Sequence, residues 1–522
     1  MRLRPSILSL ILPLLVVGCI GRDKGGQEGE EFDDNTQGGD GGGSDGGDGG
    51  GDGGDGGGGY DGGDGDDGGG DDGRGEGGSD DGDDGDDTGT PVDVDCEADE
   101  NPTIYLSPDD SNSMASPVLA RLALLDGVFD YRYVPIRPWE FMNYATFDYP
   151  PAEAGSISLH AAMVPDPARG DNTWALQVGI AAPVRTADDR ANINLTFVLD
   201  TSCSMDGAPL RQVREAGTAM AAQLKAGDIV SLVTWSSSAE AVLEGHPVSQ
   251  PNDPVVLSAF SSLNASGGTD LGAGLLTGFH VASTHASTDL INRLVLVSDG
   301  GANMGVTDAE VIGTYVGERD EDGIYVAGMG VGTSGTYNPD LMDDVTDAGR
   351  GASFFIGDDT EAWKILGDRF ISTFDVAARD VRLELDLPTG FEIVKFSGEE
   401  YSTNPDEIEP QHLSPNDSMV FLQSIQTRCP ESVSDDTVVT IRATWKDPIS
   451  MEERTETLDA RFGDLLAADP TLLRKGQAVG ATADALKAWQ DDALSTAHKA
   501  AAVDAAREQL GTALALDADD PD

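Results

Sequence analysis

Between residues ~193 and ~373 the chain alternates short apolar runs with stretches of helical spacing, and this alternation restricts the fold more than any other feature. Leu195–Leu199, Ile229–Trp235, Leu294–Val297 and Ile324–Val331 are apolar and β-branched, as strands buried on both faces are. Pro209–Ala226 repeats apolar residues at Val213, Ala216, Met220 and Leu224. Leu271–Val281, Thr307–Val316 and Glu361–Ser372 carry helical spacing too, with Thr307 as an N-cap. Parallel strands need crossovers, so strands separated by helices specify a doubly wound, mostly parallel α/β sheet of Rossmann-like type.

The flanks read differently. Ser156–Met163 and Thr173–Ala181 alternate or run apolar around the turn-rich 165–172 segment, which predicts a hairpin. Val381–Leu387, Phe391–Ser397, Met419–Ser424 and Val438–Trp445 predict a β-sandwich. The hairpin can complete that sandwich, so the α/β unit is expected to be inserted in it or followed by it. Pro138 opens a short helix in RPWEFMNY. The alanine-rich end is helical, with Ala481, Ala485, Leu486 and Trp489 on one face and Val503, Ala506 and Leu510 on another. The expected divisions are 96–190 for a segment with the hairpin, 191–374 for the α/β domain, 375–463 for a β-rich domain and 464–522 for a helical tail.

At the start, Met1-Arg2-Leu3-Arg4 precedes an apolar run from Ile7 to Val17 and then Gly18-Cys19. This is the layout of a secretory signal, and the run is shorter than the ~20 residues a transmembrane helix needs. Val16-Val17-Gly18-Cys19 resembles a bacterial lipobox. The resemblance implies cleavage of residues 1–18, lipid on Cys19 and, with Ile20 following, membrane attachment at the outer membrane of a Gram-negative envelope. The other reading is an ordinary signal peptide with an incidental cysteine. Residues 19–95 are rich in Gly and Asp and cannot bury a core. They read as a tether of ~50 Å root-mean-square reach. A calcium-binding roll would need an apolar residue at a fixed nine-residue period, and only Tyr60 interrupts the densest stretch. The formal net charge of −62 argues against nucleic acid and anionic lipid headgroups as partners and favours cations and basic proteins. Salt adaptation gives the same composition.

Chemistry is concentrated in three loops. LTFVLD ends at Asp200 and continues Thr201-Ser202-Cys203-Ser204, a D-x-S-x-S pattern between a strand and a helix. Ser266-Gly267-Gly268-Thr269-Asp270 opens the helix at Leu271, and Ser298-Asp299-Gly300 follows an apolar strand. Ligands of doubly wound sheets bind beyond the carboxyl ends of strands, so these loops are expected to converge just beyond the buried strands, facing solvent. Two carboxylates and three hydroxyls are hard oxygen donors suited to Mg²⁺, which keeps open or water-filled positions. The pattern resembles the von Willebrand factor type A domain with its metal-ion-dependent adhesion site. The resemblance implies that Ser202, Ser204 and Thr269 bind metal directly and Asp200 and Asp299 directly or through water. It implies Mg²⁺, with Mn²⁺ or Ca²⁺ as alternatives, and a protein ligand that offers a carboxylate. Cys203 departs from the glycine that relatives often carry there. RPWEFMNYATFDYPP also resembles the segment before this domain in a group of bacterial lipoproteins, which have a strand-rich region and a helical tail after it. Asp109-Asp110-Ser111-Asn112-Ser113 spells the same motif, but Pro108 interrupts the preceding run, so it reads as a serine-rich turn.

None of the six histidines lies in H-E-x-x-H, and there is no G-x-S-x-G elbow or Walker loop. Cys96 and Cys429 remain for an oxidising compartment, either as a disulfide or as two separate thiols. The expected function is non-enzymatic, metal-dependent protein binding at the envelope. The competing readings are a structural envelope protein with a stabilising metal and a hydrolase with an unrecognised site.

Overall fold

A computed structural model of the chain describes residues 96, 101–108, 113–127, 131–300, 323–332, 337 and 339–520. The expected signal peptide, lipid site at Cys19, tether and Thr307–Val316 helix lie outside these residues, as does the first part of the Asp109–Ser113 motif.

The first strands are β1 (Ile104–Ser107), β2 (Ser158–Pro165) and β3 (Thr173–Ala181). Next come β4 (Ile193–Asp200), β5 (Ile229–Trp235), β6 (Ala239–Pro247), β7 (Ile291–Ser298), β8 (Tyr325–Gly330) and β9 (Ser353–Phe355). The last group is β10 (Ala378–Asp386), β11 (Phe391–Phe396), β12 (Glu400–Ser402), β13 (Gln411–Leu413), β14 (Ser418–Thr427), β15 (Val438–Lys446) and β16 (Glu453–Arg461).

The middle group forms one sheet in the order β6-β5-β4-β7-β8-β9. All its pairings are parallel except that of β5 with β6. On β4, Leu195, Phe197 and Leu199 face one apolar cluster and Val198 faces the other, the two-residue period of a strand covered on both sides. The outer groups form two antiparallel sheets, β12-β1-β10-β15-β16 with β13 beside β10, and β11-β14-β3-β2. They enclose a second core of Leu176, Val178, Leu383, Phe421, Ile441 and their neighbours. The α/β sheet is therefore inserted between strands of a sandwich that the β2–β3 hairpin helps to build.

The C-terminal helices Thr471–Gln490 and Thr496–Leu516 pack together through Ala485, Val503 and Ala506. Val479, Ala483 and Leu486 of the first join the apolar cluster that also holds Phe141 and Met142 of helix Pro138–Tyr144 and Val420 and Leu422 of β14. A disulfide joins Cys96 to Cys429, with Cα atoms 5.8 Å apart.

Several elements differ from the sequence expectations. Helix Ala208–Ala221 stops before Ala226, yet Leu224 stays buried in the turn that follows. The expected Glu361–Ser372 helix is broken: Asp359–Trp363 is α-helical, Lys364–Asp368 widens to a π turn, and Phe370–Phe374 is α-helical again. The apolar spacing persists across all three pieces, so it does not reveal the inserted turn. Strands β1, β6, β9, β12, β13 and β16 were not foreseen; most are short or lie at sheet edges, where one face is wet and the apolar signal weak.

Candidate metal centre

The three motif loops meet at the carboxyl edge of the parallel sheet. Asp200 is the last residue of β4, and Ser298 the last of β7 beside it. Helix Leu271–Thr284 begins directly after Thr269 and Asp270, and Asp270 caps it by accepting from Ala273 N at 3.0 Å. Aspartate before an apolar-periodic run is an N-cap signal already present in the sequence.

Backbone hydrogen bonds tie the loops to one another. Ser266 N donates to Thr201 O (2.6 Å) and Cys203 N donates to Gly267 O (3.2 Å). Thr201 N donates to Trp235 O (2.8 Å), and Asp270 N to Ser236 O (2.7 Å). Gly267 sits at φ +86°, and a side chain there would press on the hydroxyls of Ser236 and Ser237. Glycine is required at that turn for both reasons.

Asp200 Oδ1 accepts from Ser202 N (2.8 Å) and Oδ2 accepts from Ser298 Oγ (2.9 Å). Ser298 Oγ in turn accepts from Gly300 N (3.0 Å). The hydroxyls of Ser202 and Ser204 are 3.0 Å apart. Ser298 is the positioning residue the motif reading missed. Its signal was only its place one residue before Asp299 at a strand end.

The site is deeper than expected. Asp200 and Asp299 are 0% exposed, Ser202 1% and Thr269 2%, whereas Ser204 is exposed. The expectation of solvent-facing ligands is thus corrected: loops packed on one another cover four of the five residues. Burial pushes the Asp200 carboxyl up to about 6, against the serine hydrogen bonds, and Asp299 pushes it the same way. No basic side chain stands among these influences. Two buried acids, one raising the other's affinity for a proton, with hydroxyls around them, are a donor set that a hard divalent cation fits. Cys203 is exposed and free. Of the Asp109–Ser113 motif, Ser113 is buried, and its Oγ accepts from Ser353 N at 3.2 Å.

Residues 195–302 match the family model of the von Willebrand factor type A domain, a span that contains all five candidate residues. The chain carries a von Willebrand factor type A domain. It is 28% identical over 261 residues to the uncharacterized protein YfbK of Escherichia coli, covering 48% of this chain and 45% of that protein. It is also 28% identical over 213 residues to the uncharacterized protein sll0103 of Synechocystis sp., covering 41% and 49%. The chain thus spans about half the length of these relatives. Among solved structures, a von Willebrand factor type A protein from Catenulispora acidiphila aligns with a TM-score of 0.42 at 17% identity, covering 69% of this chain and 85% of that one. In the type A domain of this chain, helix Leu271–Thr284 lies unusually close to the sheet. A Cβ on Gly278 would stand 2.3 Å from Val198 Cγ2, and one on Gly274 2.6 Å from Trp235 Cγ. These contacts fix the end of the helix that follows Thr269.

Proposed function

We propose that the type A domain binds protein partners in a divalent-metal-dependent way, through a site made by Asp200, Ser202, Ser204, Thr269 and Asp299. Domains of this family commonly mediate protein interactions. One observation supports the metal reading above the rest: two fully buried carboxylates lie close enough that Asp299 disfavours the charge of Asp200, beside the paired hydroxyls of Ser202 and Ser204. When bound, Mg²⁺, Mn²⁺ or Ca²⁺ supplies positive charge between the acids and a coordination position for a partner's carboxylate oxygen. Asp200 is held in place by Ser202 N and Ser298 Oγ, and Thr269 by the start of helix Leu271–Thr284. The role is binding rather than catalysis. The proposal includes a lipid anchor at Cys19 and an outer-membrane location, which rest on the sequence Met1–Ile20. Among the described residues no helix is long and apolar enough to cross a membrane.

Calorimetric titration of the full chain with Mg²⁺, Mn²⁺ and Ca²⁺ tests the site. Wild type is expected to bind at least one of them. Asp299→Ala and Thr269→Ala should weaken binding by more than the roughly 10–100-fold typical of losing a group that only orients a ligand. Their melting curves should stay cooperative. Pull-down with and without chelator then separates a binding metal from a stabilising one. A wild type that binds none of the three ions removes the proposal.

A further inference from the structure

A cavity lies at the opposite edge of the parallel strands, where the α/β sheet meets the sandwich. Its volume is about 700 Å³, within the usual range of small-molecule sites. Its lining runs against the composition of the chain. Acids outnumber bases 94 to 32 overall, yet the charged residues here are Arg185, Arg293 and Arg379 against Asp289 and Asp375.

The one buried acid is already engaged. Asp375 Oδ2 accepts from Arg185 at 2.5 Å, and Oδ1 accepts from Val376 N at 2.8 Å. Among the described residues neither Arg293 nor Arg379 forms a salt bridge. Arg293 donates to the carbonyl of Asn292 (2.9 Å), and Arg379 donates to Met451 Sδ at 3.5 Å, a weak acceptor. Both guanidinium groups stand over the ring of Tyr325, 4.8 and 5.1 Å from its centroid. Tyr325 is 6% exposed; its hydroxyl and Arg379 Nε are buried without a hydrogen-bond partner among the described residues. Two buried donors without a partner and the buried Arg293 cation on one ring are costly unless an acceptor completes them. Burial holds Arg293 below the usual arginine range, at about 10; Asp375 opposes this and Arg379 adds to it.

The rest of the lining is mostly apolar, with Ser287, Thr288 and Asn292 as its polar members. At the tip of the β15–β16 hairpin, Ile449 is 90% exposed and Met451 46% exposed. A large apolar side chain left in water at the mouth of a cationic cavity suits a ligand with an apolar body. We infer that this cavity binds an amphipathic oxyanion, its carboxylate or phosphate head on Arg293, Arg379 and Tyr325 Oη and its hydrocarbon part along Ile449 and Met451. Charge-assisted bonds from guanidinium to an oxyanion are much stronger than the sulfur contact they replace.

The test is calorimetry of the full chain with octanoate, octyl phosphate and octyltrimethylammonium, each below its micelle concentration. Either anion is expected to bind, the tighter one naming the head group, and the cation is not. Arg379→Gln should weaken anion binding about tenfold or more, as loss of a charged partner does. Tyr325→Phe, which keeps the ring, should weaken it less, and Ile449→Ser should lower octanoate affinity while both variants melt like wild type. The inference is overturned if neither anion binds at millimolar concentration. It is equally overturned if the cation binds as well as the anions, or if Arg379→Gln and Tyr325→Phe both leave affinity unchanged.

Discussion

Strand β7 reaches both sites and ends in opposite chemistry. At its carboxyl end, Ser298 holds Asp200, and Asp299 follows in a buried acidic pair. Five residues earlier, about 16 Å along an extended strand, Arg293 pairs in register with Tyr325 in a cationic cavity. The acidic edge is assembled from two loops that follow strands of the sheet and one that opens a helix. The cationic edge is assembled from residues scattered from Arg185 to Met451. The first kind of site leaves a local mark in the sequence, because a strand, a hydroxyl-rich turn and a helix must come in order. The second leaves none, because no short stretch contains two of its arginines.

The same contrast explains how much of the fold could be read. Buried parallel strands β4, β5, β7 and β8 announced themselves as apolar runs, and β2–β3 as two runs around a turn. Strand β6, alternating Ala241, Val242, Leu243 and Glu244 at an edge, and β16, nearly devoid of apolar residues, carry little that marks them as strands until β5 and β15 are placed beside them. At the site, the meeting of the three motif loops was legible; the burial of their side chains was not, since it follows from loop packing such as Ser266 N to Thr201 O.

One helix links the two edges, which allows the comparison to be broken outright. Helix Leu271–Thr284 starts after Thr269 and ends just before Ala286, which lines the cationic cavity. Gly278→Val forces the helix off Val198 and Leu294. Overpacking of this kind costs about 3 kcal/mol. Urea unfolding should report that loss, and both Mg²⁺ and octanoate affinities should fall together. Loss of only one would mean that the edges are held independently.

The disulfide offers the opposite control. Cys96→Ser with Cys429→Ser opens a loop of 333 residues. The expected cost is about 2–4 kcal/mol of stability, through the unfolded chain. Neither ligand affinity should change, because Cys429 belongs to neither site. Equal denaturation midpoints with and without the bond would show that it contributes nothing to folding.

Acid should act on the cationic side. His412 is buried with its ring against Tyr325, faced by Asp380, Arg379, Arg293 and Arg350, and burial holds it down at about 3. Its folded value lies below the unfolded one, so the unfolded chain binds more protons below pH ~6.5, and stability falls as pH drops from there toward 3. The slope from one such group is about 1.4 kcal/mol per pH unit. Buried Glu140 and Asp417, both shifted upward by burial, act in the opposite sense. The informative quantity is therefore the difference from His412→Gln. Between pH 7 and pH 5 wild type should lose about 1–2 kcal/mol more than the variant. Parallel stability curves for the two would show that this histidine does not set the acid limb.

The smallest expected effect sharpens the acidic edge. Cys203 lies between Ser202 and Ser204, inside the motif, where its thiol is exposed while its backbone N–H is held by Gly267 O. If the site is built from oxygen donors, the thiol has no part in it. Cys203→Ser should then change stability by less than about 0.5 kcal/mol, the ordinary range for a surface position. Mg²⁺ affinity should change less than about twofold, since hard cations take oxygen ligands and ignore sulfur. Cys203→Gly should do the same to the metal and cost slightly more stability, because glycine frees the loop in the unfolded chain. Titrations with Mg²⁺ and Zn²⁺ side by side decide the matter. A Zn²⁺ affinity that exceeds that for Mg²⁺ and disappears in Cys203→Ser would put sulfur in the coordination set. The acidic edge would then be a mixed thiolate–carboxylate centre, because only a soft ligand shifts preference toward zinc in that way.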